Sequence, residues 1–152
     1  MKKVNIPTST TSLASYAFQS TALKEINIPN TVTSIGTYTF NGCRCATEVH
    51  IPTSITQIGQ CVFQNCISLS AVIVPSNVAT IGANAFNGCA GVLEYHFQKT
   101  SPPTLSNISA FNQIRSDCKM YVPYSSDGSI LNAYKTANNW SNFATYMLEE
   151  PQ

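Results

Sequence analysis

Few residues in this sequence could do chemistry: six cysteines, two histidines and seven acids spread along 152 residues. Cys43, Cys66 and Cys89 recur at an interval of about 23 residues. If they occupy neighbouring strands they point the same way about 4.8 Å apart, wider than the Cβ separation of about 3.5 to 4.5 Å that a disulfide wants. The expectation is a column of buried, reduced thiols acting as small hydrophobes. Cys45, Cys61 and Cys118 fall outside that column, and Cys45 is the one that could be exposed and reactive. A zinc site at Cys43 and Cys45 fits poorly, because a lone Cys-x-Cys pair does not match metal-ligand spacing. His50 and His96 fall on the same column two repeats apart, about 10 Å between Cα atoms, too far to share a metal or to act as a dyad. The two aspartates, Asp117 and Asp127, lie towards the C-terminus, which leaves none beside either histidine for a hydrolytic triad. The sequons at Asn107-Ile108-Ser109 and Asn139-Trp140-Ser141 read as accidents of a Ser-rich chain. No catalytic residue, cofactor or metal is expected.

The elements that position these residues repeat. Ile6-Pro7, Ile28-Pro29, Ile51-Pro52 and Val74-Pro75 recur at about 23 residues, within the leucine-rich-repeat range. In step with them run Leu13, Ile35, Ile58 and Ile81, the last three followed by glycine, and then Phe18, Phe40, Phe63 and Phe86. The segments 25–28, 48–51, 71–74 and 94–97 alternate with period two, as half-buried strands do. Proline after each strand removes a donor and ends the ladder. Asn-Gly supplies the positive-φ turn that sends the chain round again. The phenylalanines should stack down the interior, and no repeat can bury its apolar face without its neighbours.

The expected architecture is therefore a leucine-rich-repeat solenoid, with short parallel strands stacked in a right-handed coil. It comprises about five rungs over residues 1–123, the last irregular because Gln98 replaces the proline and Ser101-Pro102-Pro103 interrupts. Residues 124–152 should form a helical cap, with Ser126-Asp127 as N-cap, Ile130, Leu131, Tyr134 and Ala137 at helical spacing, and Trp140, Phe143, Tyr146, Met147 and Leu148 continuing its apolar content. The N-terminal end has no cap, so Val4 and Ile6 should sit on an edge strand able to recruit another chain.

Only 10% of residues are charged, against roughly 25% in typical soluble domains. Ser, Thr and Asn carry the surface, a composition that leans towards extracellular modules. A net charge of +1 gives no electrostatic case for nucleic acid, which needs basic stripes. No apolar run approaches the roughly 20 residues of a membrane-spanning helix. The start, Met1 to Pro7, is positive but lacks the apolar stretch of a signal peptide and runs straight into repeat sequence, so a piece of a longer protein is expected.

The order Ile-Pro, Ile-Gly, Phe-Asn-Gly-Cys resembles the BspA-like leucine-rich-repeat family of surface proteins from gut and oral bacteria and some mucosal protists. The closing segments Tyr121-Val122-Pro123, Ala133-Tyr134-Lys135 and Asn139-Trp140-Ser141 are similar to those of bacterial members. The resemblance implies secretion or surface display and, for some members, adhesion to host matrix proteins. It brings no catalytic constellation. Thr21 where a cysteine would fall, Ala46 in place of leucine and Gln98 in place of proline depart from the pattern.

The outward strand positions are the candidate ligand-binding face. One column reads Lys3, Glu25, Glu48, Ala71, Glu94 and, if the last rung keeps register, Lys119; its neighbour reads Asn5, Asn27, His50, Ile73, His96 and Tyr121. The expected function is a noncatalytic binding module that recognises a host or cell-surface protein or glycan. The alternative is a structural spacer in a larger surface protein, where these columns are merely a solvated sheet face.

Overall fold

The computed structural model describes residues 4–152. Its strands, in chain order, are β1 (Ser12–Leu13), β2 (Glu25–Asn27), β3 (Ser34–Ile35), β4 (Glu48–His50), β5 (Gln57–Ile58), β6 (Ala71–Val74), β7 (Thr80–Ile81), β8 (Glu94–Phe97), β9 (Thr104–Leu105), β10 (Lys119–Val122) and β11 (Met147–Glu149); one α-helix, α1 (Ser129–Thr136), precedes β11. All strand pairs are parallel. The even-numbered strands from β2 to β10 form the front of the coil, and the odd-numbered ones from β1 to β9 form the back. The sequence columns Leu13, Ile35, Ile58 and Ile81 thus mark a second sheet of two-residue strands.

Alternation does what the period-two pattern requires. Ile26, Val49, Val72, Tyr95 and Met120 are buried, while their neighbours on either side face outwards. Gln98 shows why proline matters after the other strands: its N–H donates to the Val74 carbonyl at 3.0 Å, a bond that no proline can make. Inside, Phe18, Phe40, Phe63, Phe86 and Phe111 stack in sequence with centroids 5.3, 5.6, 5.4 and 5.6 Å apart. Phe111, late in the sequence, takes the fifth place in this spine.

The turns need two left-handed positions per rung. One is Ser20 (φ 55°), Gly42 (69°), Asn65 (59°) and Gly88 (74°), the place of the Asn-Gly turn. The other is Tyr16 (63°), Tyr38 (59°), Cys61 (56°) and Asn84 (57°). A bulky residue with positive φ is strained in isolation. Bonds between rungs hold these: Tyr16 N–H reaches Thr37 O at 3.1 Å, and Cys61 N–H reaches Ala83 O at 3.1 Å.

Three expectations are corrected. Val4 and Ile6 lie in no strand, so the expected N-terminal edge strand is not formed by those residues, although Ile6 is buried. Helix α1 begins later than Ser126-Asp127 would have it, with Gly128 (φ 69°) at the cap position. Ser129 and Ile130 N–H groups are taken instead by Asp127 Oδ1 (3.0 Å) and Ser125 Oγ (3.1 Å). Beyond α1, Trp140–Tyr146 forms a 3-10 helix, but Met147 and Leu148 belong to β11, which adds to the sheet beside β10. The closing segment is held by Trp140, whose indole N–H donates to Pro103 O at 2.6 Å, and by the Tyr134 hydroxyl, which donates to Lys99 O at 2.8 Å.

Candidate binding face

The front sheet displays the predicted columns in register. Glu25 stands opposite Glu48 and Asn27 opposite His50; Ala71 pairs with Glu94 and Ile73 with His96; Lys119 pairs with Glu94 and Tyr121 with His96, so the last rung keeps register. Lys3 lies outside the described residues. Strand β11 extends the second column by one member, since Tyr121 pairs with Leu148, which is exposed. Reading Leu148 as part of a helical cap concealed this.

The strands bring two groups of side chains together. Around β8 the His96 ring stacks on Tyr121, with centroids 5.0 Å apart, while Nδ1 meets Glu150 Oε1 at 2.6 Å and Nε2 meets Glu94 Oε2 at 3.2 Å. A ring with both nitrogens against carboxylates satisfies both only as the imidazolium. Burial disfavours that charge, but Glu150 and Glu94 outweigh it and hold the His96 pKa above its ordinary value. Glu150 follows the edge strand and was invisible as a partner from sequence spacing.

At the other end, ligand atoms of Glu25, Glu48 and His50 lie within 4.8 Å of one another, a set that could hold a divalent cation. The Glu25–Glu48 pair is like-charged across strands and mildly destabilising. Asn27 donates to Glu25 Oε1 at 2.5 Å, and His50 Nε2 lies 3.8 Å from Glu48 Oε2, in an exposed pair. His50 and His96 stay apart, as their rung separation requires.

A seam divides the coil. On the front β2–β4 is one ladder and β6–β8–β10–β11 another; on the back β1–β3 is separate from β5–β7–β9. Gly36 and Gly82 N–H groups donate across the back to Leu13 O and Ile58 O, both at 2.8 Å; among the described residues Gly59 has no such bond. Turn bonds still cross the seam, including Phe40 N–H to Val62 O at 3.0 Å. Hollows mark both gaps. One of about 510 Å³ at β3/β5 is lined by hydroxyls and amides such as Ser15, Thr56, Gln57 and Gln60. Another of about 230 Å³ at β4/β6 is lined by Glu48, Val49, His50, Ser70, Ala71 and Ile73.

The cysteines form the expected interior column, with a donor role added. Cys43, Cys66 and Cys89 Sγ donate to the carbonyls of Phe18, Phe40 and Phe63, at 3.1, 3.2 and 3.1 Å. Thr21, in the first rung's cysteine position, bonds Phe18 O at 2.8 Å. The neighbouring Cys43 thiol and burial push Cys66 up, and burial pushes Cys89 up to about 12, so both remain S–H donors at neutral pH. All six cysteines are free; Cys45 is exposed, while Cys61 and Cys118 are buried. With Cys43 inside and Cys45 outside, the two do not face a common site. Asn107 caps a short 3-10 helix by accepting from Ser109 N–H, and Asn139 donates its amide to Leu105 O at 2.7 Å, which gives both sequon asparagines local structural roles.

Parallel strands coiled around a spine of stacked rings and thiols define a leucine-rich-repeat solenoid. The chain belongs to the BspA-type leucine-rich-repeat family: six copies of that repeat region match residues 1–116. A leucine-rich cell surface protein from Faecalibacterium prausnitzii is similar, with TM-score 0.71 and 29% identity over 84% of this chain and 33% of its own. A leucine-rich repeat protein from Bacteroides ovatus has TM-score 0.62 and 31% identity, over 74% of this chain and 28% of its own. The chain thus spans about a third of the length of these two. A Treponema pallidum leucine-rich repeat protein, 19% identical with TM-score 0.67 over 91% of this chain and 61% of its own, shares the fold. No protein of curated function matches the sequence significantly. Among the described residues no helix is long and apolar enough to cross a membrane.

Proposed function

We propose that this chain is a noncatalytic binding module of a secreted or surface-displayed protein, and that its front sheet recognises a host or cell-surface protein or glycan. In this reading residues 1–123 form the recognition solenoid and 124–152 close its end. The observation that carries it is the outward row of Ile73, the half-buried His96–Tyr121 stack and Leu148, running beside Glu94 on one ladder of the front sheet with Glu48 on the next. Apolar and aromatic groups with a polar rim are the ingredients of recognition surfaces. Likeness to a cell surface protein supports the location.

The test is capture of the purified chain on immobilised matrix proteins, mucins and glycans at physiological salt, with the variant Glu48→Ala/His50→Ala/Glu94→Ala alongside. Saturable capture that the variant loses is the expected result. Capture by neither protein would sink the reading and leave the spacer role. Self-association through the N-terminal end of the stack is a separate proposal, which sedimentation velocity at increasing concentration would detect.

A further inference from the structure

We infer that the β3/β5 hollow, on the back of the coil, binds a neutral oligosaccharide; the site is separate from the front sheet and goes beyond the reading above. Elsewhere on the back each rung bonds the one before it at two places. The N–H groups of Thr33, Ala79 and Thr104 donate to the carbonyls of Thr11, Thr56 and Ala79 at 2.9, 2.8 and 2.8 Å, and those of Gly36, Gly82 and Ser106 donate to Leu13 O, Ile58 O and Ile81 O at 2.8, 2.8 and 2.9 Å. At the seam, among the described residues, the Thr56 and Gly59 N–H groups make neither bond. Those two donors stand on one side of the gap, and the carbonyls they would otherwise meet, on Thr33 and Ile35, stand on the other; all four residues line the hollow. A ligand that takes the place of water there must be donor and acceptor at once, and a hydroxyl is both at a single atom.

The side chains around the hollow have the same character. Every polar one is a hydroxyl or a primary amide, and none carries a charge. Thr37 is spent on Ser15 and Thr33 on the Thr11 carbonyl. Ser34, Thr56, Gln57 and Gln60 are exposed, and their side chains make no hydrogen bond among the described residues. An ionic ligand would find no countercharge here, and an apolar one would bury these groups unpaired. Sugar hydroxyls match them, while the carbons of a pyranose ring have half-buried Ile35 and the bare backbone of Gly36 and Gly59 to lie on. The volume of about 510 Å³ falls in the range of small-molecule sites, about 300–1,000 Å³. An extended peptide fits less well, because a strand needs donors and acceptors alternating along one open edge, and here they face each other across a gap.

The experiment is an amide-resolved NMR titration of the whole chain with cellotriose, maltotriose and triacetylchitotriose, and with a capped tetraserine peptide. At least one of the sugars is expected to shift the amides of Gly36, Thr56, Gln57 and Gly59 saturably, with little change between low and high salt because no charge lines the hollow. Gln57→Ala/Gln60→Ala removes two exposed amides that hold nothing else, so the chain should fold as before and bind about fivefold more weakly or worse, the loss of two neutral hydrogen bonds. Glu48→Ala/His50→Ala/Glu94→Ala should leave the response intact. No saturable shift from any sugar, an equal response to tetraserine, or undiminished binding by the glutamine variant would overturn the inference. Shifts confined to front-sheet amides, or lost in the triple alanine variant, would overturn it too while supporting the front-face reading, so the two fail separately.

Discussion

Replacing Phe63 with alanine cuts the spine at its middle, and the structure sets what that costs relative to the same change at its end. Phe63 is fully buried and stacks on both Phe40 and Phe86. Truncating such a ring removes burial and leaves a cavity, about 3–5 kcal/mol in total, of which two ring contacts supply about 0.5–1.5 kcal/mol each. Phe18 is only partly buried and stacks on one ring, Phe40. Its truncation should cost about half as much, roughly 1.5–2.5 kcal/mol. In a chain of this length each kcal/mol moves the melting temperature by about 2–4 °C, so the two variants should be separated by several degrees. Urea unfolding followed by circular dichroism, with Phe63→Leu as a volume control, measures both. If Phe18→Ala is as damaging as Phe63→Ala, or if the central truncation costs under about 2 kcal/mol, the spine is not the stabilising unit and the nearest-neighbour reasoning fails.

Four further outcomes are expected. Gly82→Ala would put a Cβ 2.7 Å from Gln60 N and should destabilise by about 1–3 kcal/mol, whereas Gly59→Ala meets nothing closer than 3.6 Å and should be neutral or slightly stabilising in thermal melts. Tyr95 carries a buried hydroxyl with no hydrogen-bond partner, so Tyr95→Phe should hold or raise stability by about 1 kcal/mol in the same urea assay. Because the His96 pKa is raised in the folded chain, its contribution is fully present below the ordinary histidine value and is lost as pH rises through the folded value; melting temperature should fall across that window, and His96→Gln should remove the step. Thiol titration should find Cys45 reacting quickly and Cys43, Cys61, Cys66, Cys89 and Cys118 only on unfolding.

Columns were legible because a solenoid translates them directly into space. Phe18, Phe40, Phe63 and Phe86 needed only a common register to be placed in one stack, whereas Gln98, read as a break in the pattern, in fact carries the ladder on through its N–H. What escaped reading depended on contacts with no periodic signature. The back strands are two residues long, too short for alternation to register, although the Ile-Gly column marked their place. Tyr16 and Tyr38 take left-handed backbone that their residue type disfavours, because bonds from the next rung impose it. Leu148 was assigned by apolar content to the cap, yet an edge strand turned it outwards and brought Glu150 to His96. On the face itself, spacing predicted which residues would share a column, including Glu25, Asn27, Glu48, His50 and Lys119. It could not show where the columns open, since the hollow beside Ala71 arises from a gap between ladders.

That gap has a mechanical meaning for a coil held together rung by rung. Force applied along a stack is shared by the bonds that cross each level, and it concentrates where the ladders of both sheets stop together. Between β3 and β5 the load passes to the turns, through contacts such as Phe40 N–H to Val62 O, and to the phenylalanine spine; between β4 and β6 the Ser70 N–H bond to Thr47 O, at 3.2 Å, shares it. Fewer ladder bonds cross this level than cross its neighbours, so under tension the coil is expected to yield here first, which single-molecule pulling would show as an early partial extension.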